Sequence, residues 1–277
     1  MIELKGGYDL HVHASPDVCP RKFTDIELAK RLIADGFAGM GLKCHYAETA
    51  GRAALLRELF PEFQVAGGIT LNRSLGGFNP YAVEACGKMG GKFVWLPTMD
   101  ARSYKLFHNP QLPMEEAEKL LYALDDEGQL LASIHEVLEV AAQYKMIVCT
   151  GHLSAKEGLV VLNAAKEHGV EHFVITHGDN PADIYSSEQQ RQAVRQGAVV
   201  EHCYFTVFKK RTPIEAVVEQ MRAVGFDHTF ISTDFGQVDN PYPEEGLQEF
   251  LLQLSAQGVA DADLEKIFKL NIKVLLQ

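Results

Sequence analysis

Short runs of apolar and β-branched residues alternate with longer amphipathic stretches from one end of the chain to the other. The short runs predict eight strands, at residues 8–12, 39–43, 64–70, 92–97, 146–150, 172–176, 198–202 and 229–233. Strands that alternate with helices are typical of βα units on a parallel sheet. A closed α/β barrel commonly takes about 250 residues, so the 277 residues predict one domain, a (β/α)8 TIM barrel over residues 1–277.

The predicted helices carry start signals of the Ser/Thr-x-x-Glu type, in which a hydroxyl and a carboxylate satisfy free N–H groups of the first turn. The signals are the pairs Thr24/Glu27, Ser133/Glu136, Ser154/Glu157 and Thr212/Glu215. In the first helix, "TDIELAKRLIADG", helical spacing places one apolar group on the sheet: Ile26, Ala29, Leu32 and Ile33. The polar group that we expect to face water is Asp25, Lys30, Arg31 and Asp35.

Two connections depart from the regular alternation. Residues 101–131 form an extended βα loop after the fourth strand, which contains "HNPQLP" and a predicted acidic helix at 114–125. We interpret this loop as a lid or an oligomer contact. After the last strand, the prolines and asparagine of "FGQVDNPYPEEG" indicate an ordered loop before a helix at 244–257.

Composition and charge narrow the class of protein. Apolar residues make up 47% and charged residues 23%, and no apolar run approaches the roughly 20 residues that span a bilayer. The net charge of −11 comes from acidic residues scattered along the chain, which disfavours nucleic acid as a partner. The five cysteines include no C-x-x-C pair, and no secretory signal is visible. We therefore expect a cytoplasmic protein with reduced thiols and a small-molecule substrate, and we leave homo-oligomer formation open.

Six of the eleven histidines lie at or just beyond the C-terminal end of a predicted strand: His11, His13, His45, His152, His177 and His202. The C-terminal ends of all strands meet at one rim of a parallel barrel, where such barrels carry their chemistry. Asp234 ends the last strand, which neighbours the first strand if the ring closes. His11 and His13 are two residues apart on a strand and so share a face. Two imidazoles and a carboxylate suit a divalent metal such as zinc, manganese or iron.

The chain resembles the amidohydrolase superfamily of metal-dependent barrels, over its whole length. The resemblance rests on "DLHVH" at the first strand, "TGHLS" with His152, "ITHGDN" with His177, "STDFGQ" with Asp234, and a closing helix in "DLEKIFKLNIKVLL". It implies that His11, His13 and Asp234 hold one metal and that His152 and His177 bind a second metal or the substrate. It also implies that Asp234 takes the proton from the attacking water. One or two ions are implied, with zinc the first choice.

The sequence departs from the common pattern of that superfamily at the fourth strand. Binuclear members carry a carboxylated lysine or a glutamate there, whereas this strand offers Thr98 and Asp100. The second strand instead ends in "GLKCHY", where Lys43 and His45 share a face. Lys43 could bridge metals as a carbamate or bind an anionic substrate group. His45 could be a ligand or a hydrogen-bonding partner of one.

The function predicted from these residues is hydrolysis of an amide, lactone or other ester by a metal-activated water. Asp234 would act as general base, and His177 or His152 would stabilise the oxyanion. Arg21 could clamp an anionic group of the substrate, although a solvated arginine is the simpler interpretation. Of the neighbours Glu201 and His202 only one can face the barrel, and we favour His202 slightly as a substrate contact.

Three alternatives remain open at this point. The chain also resembles the polymerase and histidinol phosphatase type of metallophosphoesterase, with Asp17 as a loose match, but Gly236 stands where the second residue of that family's Asp-x-His pair would be. Mononuclear amidohydrolase-like barrels without a β-sandwich domain include decarboxylases. A non-catalytic metal-binding barrel would have no water-accessible metal position.

Overall fold

The strands of the protein run parallel around a common axis. A computed structural model describes residues 3–183 and 185–277, and within them it contains nine short strands. They are β1 (Tyr8–Val12), β2 (Gly39–Leu42), β3 (Gln64–Ala66), β4 (Gly68–Thr70), β5 (Phe93–Trp95), β6 (Ile147–Cys149), β7 (Phe173–Ile175), β8 (Val199–Cys203) and β9 (Thr229–Ser232). β3 and β4 are two halves of one barrel strand on either side of Gly67. A Cβ at Gly67 would lie 2.3 Å from the carbonyl oxygen of Thr49, so only glycine allows this close approach.

Hydrogen bonding connects the strands in sequence order. One sheet has the order β1-β2-β3 and the other runs from β4 to β9, and every pair in them is parallel. The end of β9 returns to β1, because His13 N donates to Phe235 O at 2.7 Å and Asp234 N donates to His11 O at 2.9 Å. The predicted (β/α)8 barrel is confirmed, with the closing contacts at the rim that carries the first histidines.

Helices cover the outside of the strands. They are α1 (Asp25–Ala34), α2 (Ala50–Leu59), α3 (Pro80–Lys88), α4 (Arg102–His108), α5 (Met114–Ala117), α6 (Ala132–Gln143), α7 (Ala155–Glu167), α8 (Ser187–Arg195), α9 (Tyr204–Phe208), α10 (Ile214–Val224), α11 (Pro243–Ala256), α12 (Asp261–Glu265) and α13 (Asn271–Leu275), with a π-helical turn at Lys266–Leu270. In the described part of the chain, none of these helices has the length and apolar character needed to cross a bilayer.

The core has an inner and an outer layer. Inside the barrel, Leu10, Phe93, Trp95 and Phe230 pack with Ile272 of the C-terminal helix, which closes the end opposite the rim. Asn271 fixes that helix, because its side-chain amide donates to the carbonyl oxygens of Phe226 and Thr229, both at 2.7 Å. The outer layer lies between strands and helices. The rim is therefore the open end of the barrel.

The buried face of α1 differs from the one that its sequence predicts. Leu28, Ala29 and Leu32 are fully buried, whereas Ile26 and Ile33 remain partly exposed. Asp25, which we expected to face water, is buried because Arg52 of α2 makes a two-point contact with its carboxylate at 2.6 and 2.7 Å. An ion pair between neighbouring helices thus rotates the helix away from its most apolar orientation.

The extended loop at 101–131 contains less helix than predicted. The acidic helix expected at 114–125 ends at Ala117, after which the chain turns back. Leu121 N donates to Asp100 O and Arg102 N donates to Leu121 O, both at 2.9 Å. These backbone hydrogen bonds replace those that a continued helix would make. The loop is thereby held against α4, which lies over the rim.

Two of the four predicted capping boxes form. Thr24 with Glu27 and Ser154 with Glu157 make both reciprocal hydrogen bonds. Ser133 lies inside α6, whose cap is Leu131, and Thr212 lies before the cap of α10 and donates to Asp179 O at 2.7 Å. A capping box that we did not predict forms between Ser186 and Gln189 of α8.

The difference between the two serine motifs can be measured. We expect Ser154→Ala to lower the free energy of unfolding by about 1 kcal/mol, because it removes a real N-cap. Ser133→Ala, the matched control with the same sequence motif, should change it by less than about 0.5 kcal/mol. Urea denaturation of both variants tests this, and equal losses would contradict the assignment of the caps.

Candidate metal centre

The closing contacts between β1 and β9 position the first three candidate ligands. The buried carboxylate of Asp9 accepts the N–H groups of Thr233 at 3.1 Å and His11 at 3.2 Å, so it connects the two strands beneath the rim. Asp234 adopts a left-handed backbone conformation with φ of 57°, as does His177 with φ of 32°. Residues in this region cost conformational energy and cluster at functional sites.

Three donor atoms from these strands converge. Asp234 Oδ1 lies 3.2 Å from His11 Nε2 and 3.1 Å from His13 Nε2. A tetrahedral zinc site with bonds of about 2.0–2.1 Å has edges of about 3.3–3.4 Å. The donor set of two imidazoles and one carboxylate, and its spacing, therefore fit a divalent metal.

Glu201 orients the first of these ligands. Its Oε2 lies 3.1 Å from His11 Nδ1, on the opposite side of the ring from Asp234. An ionised carboxylate can only accept a hydrogen bond, so Nδ1–H donates to Glu201 and Nε2 points towards Asp234. A carboxylate behind a ligating histidine is the common outer partner in metal sites.

The charges around His11 favour a cation at this point. Burial lowers the pKa of His11 and the ammonium of Lys43 lowers it further, but Asp234 and Glu201 together raise it to about 9. Burial raises the pKa of Asp234, but His11 and His13 hold it well below its usual range. Two carboxylates thus flank one ring and stabilise positive charge next to it, whether a proton or a metal ion.

The neighbouring imidazoles are neutral. Burial lowers the pKa of His13 to about 4 and holds the pKa of His45 and of His152 well below the ordinary value. A metal ligand must present an unprotonated nitrogen, so neutral rings are ready to bind without first losing a proton.

Three further histidines lie beside His11 and His13: His45, His152 and His177. The His45 ring stacks on His13 with centroids 4.7 Å apart, and the His152 and His177 rings are 4.9 Å apart. His177 Nδ1 lies 2.5 Å from Asp183 Oδ2, and His45 Nδ1 lies 2.8 Å from Thr98 Oγ1. These outer contacts direct the remaining ring nitrogens towards the rim.

Lys43 lies within this group. Its side chain is 1% exposed and its Nζ is 2.9 Å from His11 Nε2 and 5.6 Å from the centre of the Trp95 ring. Within residues 3–183 and 185–277, Lys43 makes no ion pair with a carboxylate. The structure therefore brings seven predicted residues together: His11, His13, Lys43, His45, His152, His177 and Asp234.

A cavity of about 310 Å³ opens above these side chains. His45, His152, His177 and Asp234 line its base, and its walls include Tyr46, Tyr104, Phe205, Arg21 and Arg211. The Tyr104 ring of α4 lies 4.4 Å from that of His152, so part of the extended loop covers the site. The volume is at the lower end of the range of about 300–1,000 Å³ for ligand pockets, which indicates a small substrate.

The two predicted substrate contacts take different positions. Arg21 lines the cavity, but Asp17 holds its guanidinium at 2.7 Å. His202 is fully buried on the outer side of β8, with Nδ1 3.3 Å from Asp179 Oδ1, and it does not line the cavity. Alternation along β8 places Glu201 at the metal centre instead.

Sequence reasoning missed three contributors to the site. Asp183 lies eight residues after the end of β7, Tyr104 comes from the extended loop, and Arg211 follows α9. The only local signal for Arg211 is the basic run "KKR" at 209–211.

Several solved structures share the fold of this chain. An amidohydrolase from Pseudomonas aeruginosa has a TM-score of 0.68 at 13% identity, with 98% of this chain and 95% of that chain covered. A dihydroxybenzoic acid decarboxylase from Polaromonas sp. JS666 was solved with bound manganese and the inhibitor 2-nitroresorcinol. It has a TM-score of 0.61 at 12% identity, with 98% of this chain and 97% of that chain covered. An enamidase of the amidohydrolase superfamily has a TM-score of 0.59 at 14% identity, with 98% of this chain and 67% of that chain covered.

The barrel fold that the predicted resemblance implies is thus confirmed, and the fold defines the class of protein as a (β/α)8 barrel similar to those of the solved amidohydrolases. A family model described as a family of unknown function, DUF6282, matches residues 6–201, and the chain belongs to this family. No curated protein sequence matches the chain significantly.

Proposed function

We propose that the protein is a metal-dependent hydrolase that cleaves an amide, lactone or other ester bond of a small molecule. His11, His13 and Asp234 would hold the ion, with zinc the first choice and manganese or iron as alternatives. The observation that carries this proposal is that Asp234 Oδ1 lies 3.1–3.2 Å from both His13 Nε2 and His11 Nε2, beside a cavity.

A divalent cation supplies two kinds of chemistry when bound here: it lowers the pKa of a coordinated water and polarises the oxygen of the substrate bond. Asp234 is partly accessible from the cavity, with 18% of its side chain exposed. Its carboxylate accepts the proton of the attacking water and passes it to the leaving group. Such a shuttle contributes about 10²- to 10⁴-fold to the rate.

His177 and His152 face the reacting group in this mechanism. Nδ1 of His177 lies 2.5 Å from Asp183 Oδ2, which orients the ring so that Nε2 faces the developing oxyanion. Nδ1 of His152 is buried and has no hydrogen-bond partner within the described residues. An unpaired buried nitrogen costs about 1–3 kcal/mol, so a bound substrate group or a second ion would satisfy His152.

Lys43 joins the centre as a carbamate. Burial of a charged group without a partner of opposite charge is unfavourable, and Lys43 has no carboxylate partner among the residues that the structure describes; its Nζ lies 2.9 Å from His11 Nε2. Reaction of the neutral amine with carbon dioxide forms a carbamate and releases one proton. The lysine then carries negative charge and oxygen atoms that can bind a cation.

The metal content and the state of Lys43 test this proposal together. We expect purified protein to hold one or two divalent ions per chain by elemental analysis, and to show a carbamate signal by NMR after incubation with carbon-13-enriched bicarbonate. Lys43→Met should remove the signal, whereas Lys22→Met, at a half-buried lysine in the loop after β1, should leave it. The metal-loaded protein should hydrolyse at least one member of a panel of small amides, lactones and esters. Protein that binds no divalent ion under any of these conditions would overturn the proposal.

Two alternative activities were left open by the sequence. The geometry at Gly236 argues against a phosphoesterase, and an assay tests for a decarboxylase. A side chain at Gly236 would place its Cβ 1.7 Å from the carbonyl oxygen of His13, and Gly236 has φ of 139°. The second residue of a phosphoesterase-type Asp-x-His pair therefore cannot occupy this position without opening the contact between β9 and β1. Decarboxylation is tested by measuring carbon dioxide release from carboxylated aromatic compounds in the same panel.

A further inference from the structure

The mouth of the cavity carries a basic segment, residues 205–212, which comprises most of α9 and the turn after it. Phe205 and Arg211 of this segment line the cavity, and Lys209 and Lys210 lie beside them in the exposed turn. The chain as a whole has a net charge of −11. A run of three basic residues at this opening therefore stands out from the charge of the rest of the protein.

Asp179 fixes the backbone of the basic segment at both ends. Its carboxylate accepts a hydrogen bond from the Thr206 hydroxyl, and its carbonyl oxygen accepts one from the Thr212 hydroxyl at 2.7 Å. Arg211 N also donates to Thr206 O at 2.8 Å. Nδ1 of the buried His202 lies 3.3 Å from Asp179 Oδ1. Arg211 thus projects from a turn whose backbone is anchored to the barrel at the cavity mouth.

The guanidinium of Arg211 is available for a ligand. The other arginine of the cavity, Arg21, is already paired with Asp17 at 2.7 Å. Within the parts of the chain that the structure describes, Arg211 makes no ion pair, and Asp234 is the one carboxylate among the cavity-lining residues. The carbon of the guanidinium lies 5.0 Å from the centre of the Phe205 ring, which orients its plane.

We propose that the substrate carries an anionic group, a carboxylate or a phosphate, and that Arg211 binds it at the cavity mouth while the scissile bond lies at the base near Asp234. Arginine presents paired N–H donors that match either anion. The aromatic side chains of Tyr46, Tyr104 and Phe205 would contact a flat or apolar body between the two ends. This inference rests on the proposed function for the position of the reacting bond, but the anion site itself can be tested by binding alone.

Calorimetric titration of the metal-loaded protein with three probes of similar size tests the anion site. Benzoate and phenyl phosphate carry the two candidate anions, and benzamide is the neutral control. We expect at least one anionic probe to bind at least 10-fold more tightly than benzamide, and the tighter of the two identifies the anion. Arg211→Gln should abolish the preference, Arg211→Lys should keep part of it, and Lys209→Gln, the matched control in the same turn, should leave it unchanged.

A second titration with metal-stripped protein separates Arg211 from the ion. An anion preference that persists without metal and disappears in Arg211→Gln supports the inference. A preference that Arg211→Gln leaves intact, or wild-type protein that binds both anions no better than benzamide, overturns it. Metal analysis and hydrolysis are measured separately, so an anion site in a protein that binds no ion would reject the proposed function and retain the site.

Discussion

Asp234→Asn is expected to lower kcat for any hydrolysed substrate by about 1,000-fold or more, while part of the bound metal remains. The amide oxygen of asparagine can still contact a cation next to His11 and His13, but it cannot take a proton from water. The proton shuttle alone contributes about 10²- to 10⁴-fold, and weakened metal binding adds to this loss. Steady-state kinetics with parallel elemental analysis measures the two effects separately.

The matched control for this variant is Asp239→Asn, which removes an exposed carboxylate in the same loop. It should leave both kcat and metal content unchanged. Full activity in Asp234→Asn would remove Asp234 from the mechanism. Complete loss of metal in that variant would show that the carboxylate acts mainly as a ligand, and the proton shuttle would then need another residue.

Glu201→Gln is expected to weaken metal binding by about 10- to 100-fold, although Glu201 is not among the three proposed ligands. Glutamine can still accept from His11 Nδ1 over the present 3.1 Å contact, but it no longer adds negative charge behind the ring. His11 Nε2 then becomes a poorer donor to a cation. Competition with a chromogenic chelator measures the dissociation constant of the ion directly.

Glu219→Gln on the exposed face of α10 is the control, because it removes the same charge far from the rim. It should not change the metal affinity. If Glu201→Gln also left the affinity unchanged, the orientation of His11 would not depend on this carboxylate. A loss of folded protein in Glu201→Gln, measured by circular dichroism, would be separated from a loss of affinity by titrating only the folded fraction.

The strand pattern and the positions of the rim histidines could be predicted because they depend on local order in the chain. Strand periodicity places His11 and His13 on one face, and the topology of a parallel barrel brings the ends of β1 and β9 together whatever the loops do. The structure shows this in the hydrogen bonds that connect His11 and His13 to residues 234 and 235. A contact that follows from topology needs no knowledge of side-chain packing.

Motifs with a purely local meaning were less reliable. Ser133 and Ser154 begin the same four-residue pattern, but only Ser154 caps a helix, because α6 begins two residues earlier than its motif predicts. The choice between Glu201 and His202 depended on the side of β8 that faces the barrel. The register of β8 against β9 decides which of the two side chains faces the barrel, and no sequence signal near position 201 indicates that register.

The sequence by itself determined the eight βα units, the rim and the residues that can ligate a metal, because each follows from periodicity along the chain or from the order of strands. Only the tertiary structure decided which carboxylate lies behind His11, which histidine Asp183 contacts, and that Arg211 lines the cavity without an ion pair to any residue that the structure describes. These are contacts between segments distant in sequence, and their geometry depends on how loops and helices pack rather than on any local pattern.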